Sequence, residues 1–174
     1  MPRPCVTRPR VESDLPETRV EWQYNMRIYY PAVNSMKYKV GYDTQTSDGI
    51  KVLWELPTDA RLLDITPMGD AFFELPDGEF VMVSVTDGEI LNVTEEIKEY
   101  GLPPVDFALG DEWYHLDAQA ALSEAGMTLA ANECFGFTKP LFQGGDYSAE
   151  NIAVMDIPEY HRRIRSLYSN TTNG

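Results

Sequence analysis

Three features predict an α+β fold for this chain, with an antiparallel β-sheet of hairpins and a three-stranded meander packed by two or three helices. Apolar runs alternate around Asp-Gly turns between residues 69 and 93. Apolar residues recur at helical spacing from 111 to 125 and again from 157. An aromatic run from Phe135 to Phe142 ends in the Gly144-Gly145 pair. With 174 residues, 43% of them hydrophobic, the chain can bury on the order of 70% of its unfolded surface and hold a core without disulfides or metal.

Met1 to Thr18 is rich in proline and arginine and lacks apolar periodicity. This fits disorder or an upstream start codon, so residues 1–20 are assigned to a tail and 21–170 to a single globular domain. A chain starting at Glu21 is expected to melt at the same temperature as the full chain, because a segment without an apolar face cannot offset the entropy of ordering it. A large drop in Tm would show that the tail packs on the body. Glu21 to Tyr30 interleaves aromatics with Arg27 and reads as an edge strand rather than a base-stacking surface, given the acidic chain that follows. Met36, Tyr38, Val40 and Tyr42 alternate, and Ile50 to Leu56 repeats a strand-like run beyond Ser47-Asp-Gly49, which predicts a hairpin.

Gly69–Leu75, Glu79–Val85 and Glu89–Val93 form the meander, joined at Pro76-Asp-Gly78 and Asp87-Gly88. Ala71, Phe73 and Leu75 alternate along it, as do Val81, Val83 and Val85, which predicts one buried and one wet face. Thr94 is expected to cap a short helix, with Glu95 and Glu96 at its positive end and Leu102-Pro-Pro104 breaking it. A second helix, Asp111–Ala125, places Tyr114, Ala118, Ala121, Leu122 and Ala125 on one face and ends at Gly126.

The corner that follows is read as structural. Pro140 and Gly144-Gly145 set a turn that glycines reach easily, and Asn151 opens the next strand, to Val154. Phe135, Phe137 and Leu141 should be buried together with Tyr160 and Ile164. The last helix starts with Asp156 as cap and Glu159 three residues on, and buries Ile157, Tyr160, Ile164, Leu167 and Tyr168. His161, Arg162, Arg163 and Arg165 are placed on its surface.

Charge is unevenly spread. Residues 1–39 hold seven Lys/Arg and four Asp/Glu, residues 40–160 four and twenty-four, and residues 161–174 three Arg, within a formal net charge of −14. Such a body repels nucleic acid and anionic lipid and accelerates encounter with basic partners, although the same acidity also serves solubility alone. Asp87, Glu89, Asp111, Glu112, Asp117 and Glu124 are therefore the candidate partner-binding residues. Cys5 and Cys134 cannot make a disulfide framework, and neither a membrane span nor a secretory signal is evident, which points to a reducing cytoplasm.

The chain offers His115 and His161 as its two histidines. It has no zinc-spaced His/Cys set, phosphate loop, nucleophile elbow or metal-binding loop, so no catalytic residue, cofactor or metal is assigned. Asp111, Glu112, His115 and Asp117 are the nearest approach to a ligand set, and a solvated helix face is the preferred reading.

Gly126-Met-Thr-Leu129, Glu133-Cys-Phe-Gly-Phe137, Pro140, Gly144-Gly145 and Glu150-Asn-Ile-Ala-Val154 occur in register here. Upstream lie Pro67-Met-Gly-Asp-Ala-Phe-Phe73, Asp77-Gly78 and Asp87-Gly-Glu89. Over roughly residues 62–168 this pattern resembles the C-terminal domain of Tdi-type immunity proteins, whose relatives are also described as a domain of unknown function. The resemblance implies a cytoplasmic protein that neutralises a DNase toxin of the type VI secretion system by blocking its active site or substrate groove. It implies a basic toxin, encoded by a neighbouring gene, as partner. A regulatory binding module of the same fold, or an enzyme with an unrecognised carboxylate site, are the other classes considered.

Overall fold

The computed structural model describes residues 38–171. The tail at 1–20, the strand expected at Glu21–Tyr30, Met36 and Cys5 lie outside the described residues. Within them the fold is α+β: a four-stranded antiparallel sheet, a two-stranded antiparallel sheet and five α-helices.

The hairpin expected around residues 36–56 is replaced by helix α1 (Thr44–Leu53), preceded by irregular chain. Asp43 caps it, its carboxylate accepting from the Thr46 N–H at 2.8 Å, and that bond holds the Asp43 carboxyl below its usual pKa. Thr46, Ile50 and Trp54 are buried at spacing four while Val52 is 77% exposed. The buried residues follow a helical period, and the β-branched Ile50 and Val52 at alternate positions conceal it.

Strand β1 (Arg61–Ile65), absent from the expected meander, pairs with β2 (Ala71–Glu74) and precedes β3 (Phe80–Ser84) and β4 (Glu89–Asn92) in the order β1-β2-β3-β4. The Asp-Gly turns form as expected, with Gly78 and Gly88 at φ 86° and 78°. The expectation of one wet face does not hold for the central strands. Phe72 and Phe73 are both fully buried, and Val81, Met82 and Val83 are buried in succession. Ala71, Phe73, Val81 and Val83 face a core shared with Ile50, Trp54, Ile157, Tyr160 and Ile164. Phe72 and Met82 face a second one with Val93, Ile97, Trp113, Tyr114 and Leu116. Phe72 and Met82 are apolar where a wet face needs polar side chains, so the sheet is covered on both sides.

Helix α2 (Thr94–Tyr100) follows β4, but Thr94 is not its side-chain cap. Its hydroxyl accepts from the Phe80 N–H at 2.8 Å and so ties the helix start to β3. The expected helix over 111–125 is two helices, α3 (Phe107–Tyr114) and α4 (Leu116–Glu124). Strands β5 (Glu133–Phe137) and β6 (Ile152–Asp156) form the second sheet, and α5 (Ile157–Thr171) closes the fold. Asp156 caps the start of α5 by accepting from the Glu159 N–H at 3.0 Å, as expected.

Phe135, Phe137, Tyr160 and Ile164 are buried, but in two neighbouring clusters, and Leu141 is half-buried. Leu167 and Tyr168 are also half-buried. His161, expected at the surface, is fully buried. Trp54 donates its indole N–H to His161 Nδ1 at 3.0 Å, and His161 Nε2 lies 2.8 Å from the Gly69 carbonyl. Of the three arginines expected to face outward, Arg162 is exposed. Arg163 is half-buried and donates to the carbonyls of Phe137 and Thr138, and the half-buried Arg165 lies 5.3 Å from the centre of the Trp54 ring. Arg163 and Arg165 secure α5 to β5 and α1 rather than forming a free basic stripe.

Candidate functional site

The break between α3 and α4 creates the site. Asp106 caps α3 by accepting from the Leu109 N–H at 2.9 Å. The helix stops at His115, which adopts a left-handed conformation (φ 51°) uncommon outside glycine. On a continuous helix Trp113, Tyr114 and Leu116 would fan out over roughly 160°. The break lets all three enter the same core. Polar bonds fasten it: the Asp111 carboxylate accepts from the Leu116 N–H at 3.0 Å, and the buried Gln119 side chain donates to the Tyr114 carbonyl at 2.6 Å.

The loop between β5 and β6 supplies the opposite wall. The Asn151 side chain holds that loop with four hydrogen bonds. Its Oδ1 accepts from Lys139 N–H and the Thr138 hydroxyl, each at 2.8 Å, and its Nδ2 donates to the carbonyls of Lys139 at 2.9 Å and Asp146 at 2.8 Å. Gly145 sits so close to this crossing that a Cβ would lie 1.9 Å from the Lys139 carbonyl oxygen, which excludes any side chain there. Ser148 donates through its hydroxyl at 2.6 Å and its N–H at 3.1 Å to the Asp146 carboxylate, and these bonds hold that carboxyl below its usual pKa.

The pinned loop presents Tyr147. Its ring meets Phe137 edge-on at 5.3 Å between centroids and lies 5.5 Å from the His115 ring, yet the residue is 51% exposed. Partial burial pushes the Tyr147 hydroxyl pKa up, and the charges of Asp87 and Asp70 push it further. Between this loop and the α3–α4 break runs a groove of about 450 Å³, lined by Asp111, Glu112, His115, Asp117, Ala118, Ala121 and Tyr147. Asp70, buried in the β1–β2 turn, accepts from the Val85 N–H at 2.8 Å and lies 3.8 Å from His115 Nε2.

The six acidic candidates therefore divide. Asp111, Glu112 and Asp117 share the groove, although Asp111 is also spent on holding the helix break. Asp87 lies outside the lining but acts electrostatically on Tyr147, and it bonds to the Ser84 hydroxyl at 2.9 Å. Glu89 on β4 and Glu124 at the end of α4 are exposed and do not line the groove. Pro140, Gly144, Gly145 and Asn151 shape the loop, while Phe135 and Phe137 lie in the core beneath it. Sequence reasoning missed Tyr147. The available signal was an aromatic residue flanked by Asp146 and Ser148, too polar a setting to bury it.

Among the described residues no group of three His, Cys, Asp or Glu side chains is arranged to hold a metal ion. No helix among them is long and apolar enough to cross a membrane. No curated protein matches the chain. The meander at 61–92 lies outside the family match. Residues 94–167, which run from the start of α2 into α5 and include every residue lining the groove, match the family model described as T6SS immunity protein Tdi1, C-terminal.

Proposed function

We propose that this protein is a cytoplasmic immunity protein that binds a basic DNase toxin encoded by a neighbouring gene and blocks its active site or DNA groove. The observation that carries this reading is the convergence of Asp111, Glu112 and Asp117 with a half-exposed tyrosine in one groove, inside the segment that matches an immunity-protein family. Carboxylates in that groove take the place of DNA phosphates opposite toxin Lys and Arg. The acidic middle of the chain, four basic against twenty-four acidic residues over 40–160, extends the attraction beyond the contact itself.

Cells carrying the neighbouring toxin gene are expected to survive only when this protein is present, and the two proteins should co-purify. Association should be fast at low salt and slow by about tenfold or more as salt rises, because screening shortens the reach of charge to about 8 Å at physiological ionic strength. Dissociation should respond less. Glu112→Lys and Asp117→Lys should slow association more than Glu89→Lys or Glu124→Lys. Stopped-flow kinetics check this, and equal effects at all four positions would move the interface away from the groove. The protein alone should cleave no DNA with or without divalent metal. Survival without it, or no complex with any neighbouring gene product, would favour a regulatory binding module.

A further inference from the structure

Tyr147 is held in place yet left half exposed. Its loop is pinned by the Asn151 side chain, and its ring is braced by Phe137 and His115. A large ring fixed before binding loses little entropy on contact, and tyrosine is enriched among the residues that dominate interface energies. Among the described residues neither Glu112 nor Asp117 takes part in an ion pair. Asp87 and Asp70 add negative potential at the ring. An aromatic face in a negative field attracts a cation, and a planar guanidinium both stacks on a ring and forks to carboxylates, whereas an ammonium acts as a point charge that holds its water more tightly. An apolar side chain here would strip water from the carboxylates without pairing them.

Resting on the immunity reading, we propose that Tyr147 is the anchor of the groove and that it receives an arginine side chain of the toxin, with the guanidinium on the tyrosine ring and its N–H groups donating to Glu112 and Asp117. The other groove residues then act as the rim.

The test has two arms. In the first, N-acetylarginine amide and N-acetyllysine amide are titrated separately into the full chain at equal ionic strength, and the Tyr147 ring is followed by NMR. The arginine compound should shift the ring resonances several times more than the lysine compound. Equal shifts, or none, overturn the assignment. In the second, affinity is measured for the complex with the neighbouring toxin. Tyr147→Phe should stay within about threefold of wild type, while Tyr147→Ala should lose about 30-fold or more, mainly through faster dissociation. Should Tyr147→Ala fail to fold, Tyr147→Leu carries the same expectation, since it keeps apolar bulk over Phe137 without an aromatic face. Wild-type affinity in Tyr147→Ala, or in Tyr147→Leu where the alanine variant does not fold, overturns the anchor and leaves the immunity reading standing. No complex with the wild-type protein overturns the immunity reading itself, and the amide titration then still decides whether the groove takes a guanidinium.

Discussion

Truncation of Phe137 to alanine is expected to destabilise the protein by about 3–5 kcal/mol, the range for removing a fully buried aromatic ring from a packed core. Phe137 is fully buried in a cluster with Met68, Leu122, Phe135 and Ile152. Its backbone is fixed from two sides, the N–H donating to the Tyr160 hydroxyl at 3.1 Å and the carbonyl accepting from Arg163 at 3.3 Å. The backbone therefore has little freedom to collapse into the space the ring leaves, which places the cost toward the upper part of that range. In a domain of this size the loss corresponds to a fall in Tm of roughly 10 °C. The same ring braces Tyr147, so on the proposed immunity reading the affinity for the toxin should fall further than the folded fraction alone explains. Urea unfolding measures the first effect, and binding at a temperature where the variant is folded measures the second. A stability loss below about 1 kcal/mol would show that the cluster repacks and that the corner is not the rigid support described above.

The elements that were legible in the sequence are those whose local chemistry agrees with their tertiary environment. The Asp-Gly turns at 77–78 and 87–88, the Asp156 cap and the left-handed turn at Gly144 each need a particular residue for a backbone reason, and that reason is visible in one dimension. The errors share the opposite cause. Ile50 to Leu56 carries strand-favouring residues, but the buried partners of Ile50 and Trp54 on the sheet and α5 select a helix, so tertiary packing overrides propensity. His115 sits inside what reads as one helical pattern, and the break depends on Asp111 and Gln119 forming bonds that no periodicity records. The groove was half legible. Asp111, Glu112 and Asp117 were visible as acids, but their meeting with Tyr147, 30 residues further on than Asp117, is a property of the fold.

Acidification should remove stability through His161, by an amount comparable to a core truncation. Indole N–H is donor-only, so the Trp54 bond requires Nδ1 to accept, and Nε2 must then carry the proton donated to the Gly69 carbonyl. The neutral ring thus satisfies both partners, and a second proton would sit on the nitrogen that faces the indole N–H. Burial lowers the His161 pKa from 6.5 to about 4, against the opposing pull of the Gly69 bond and of Asp70. The folded protein then takes up this proton only near pH 4, while the unfolded chain takes it up near 6.5. Stability from this residue is fully present above pH 6.5, declines as pH falls toward 4 and levels off below that, for a total of roughly 3 kcal/mol. Carboxylates contribute their own slope at the acid end, so the comparison that isolates His161 is wild type against His161→Gln. Urea unfolding at intervals from pH 7 to 4.5 should show the wild type losing stability with the steeper slope, the two curves converging as pH falls. Parallel curves across that window would mean that the imidazole accepts its second proton inside the fold, and that the Trp54–His161–Gly69 contact joining α1, α5 and the β1–β2 turn is looser than its geometry indicates.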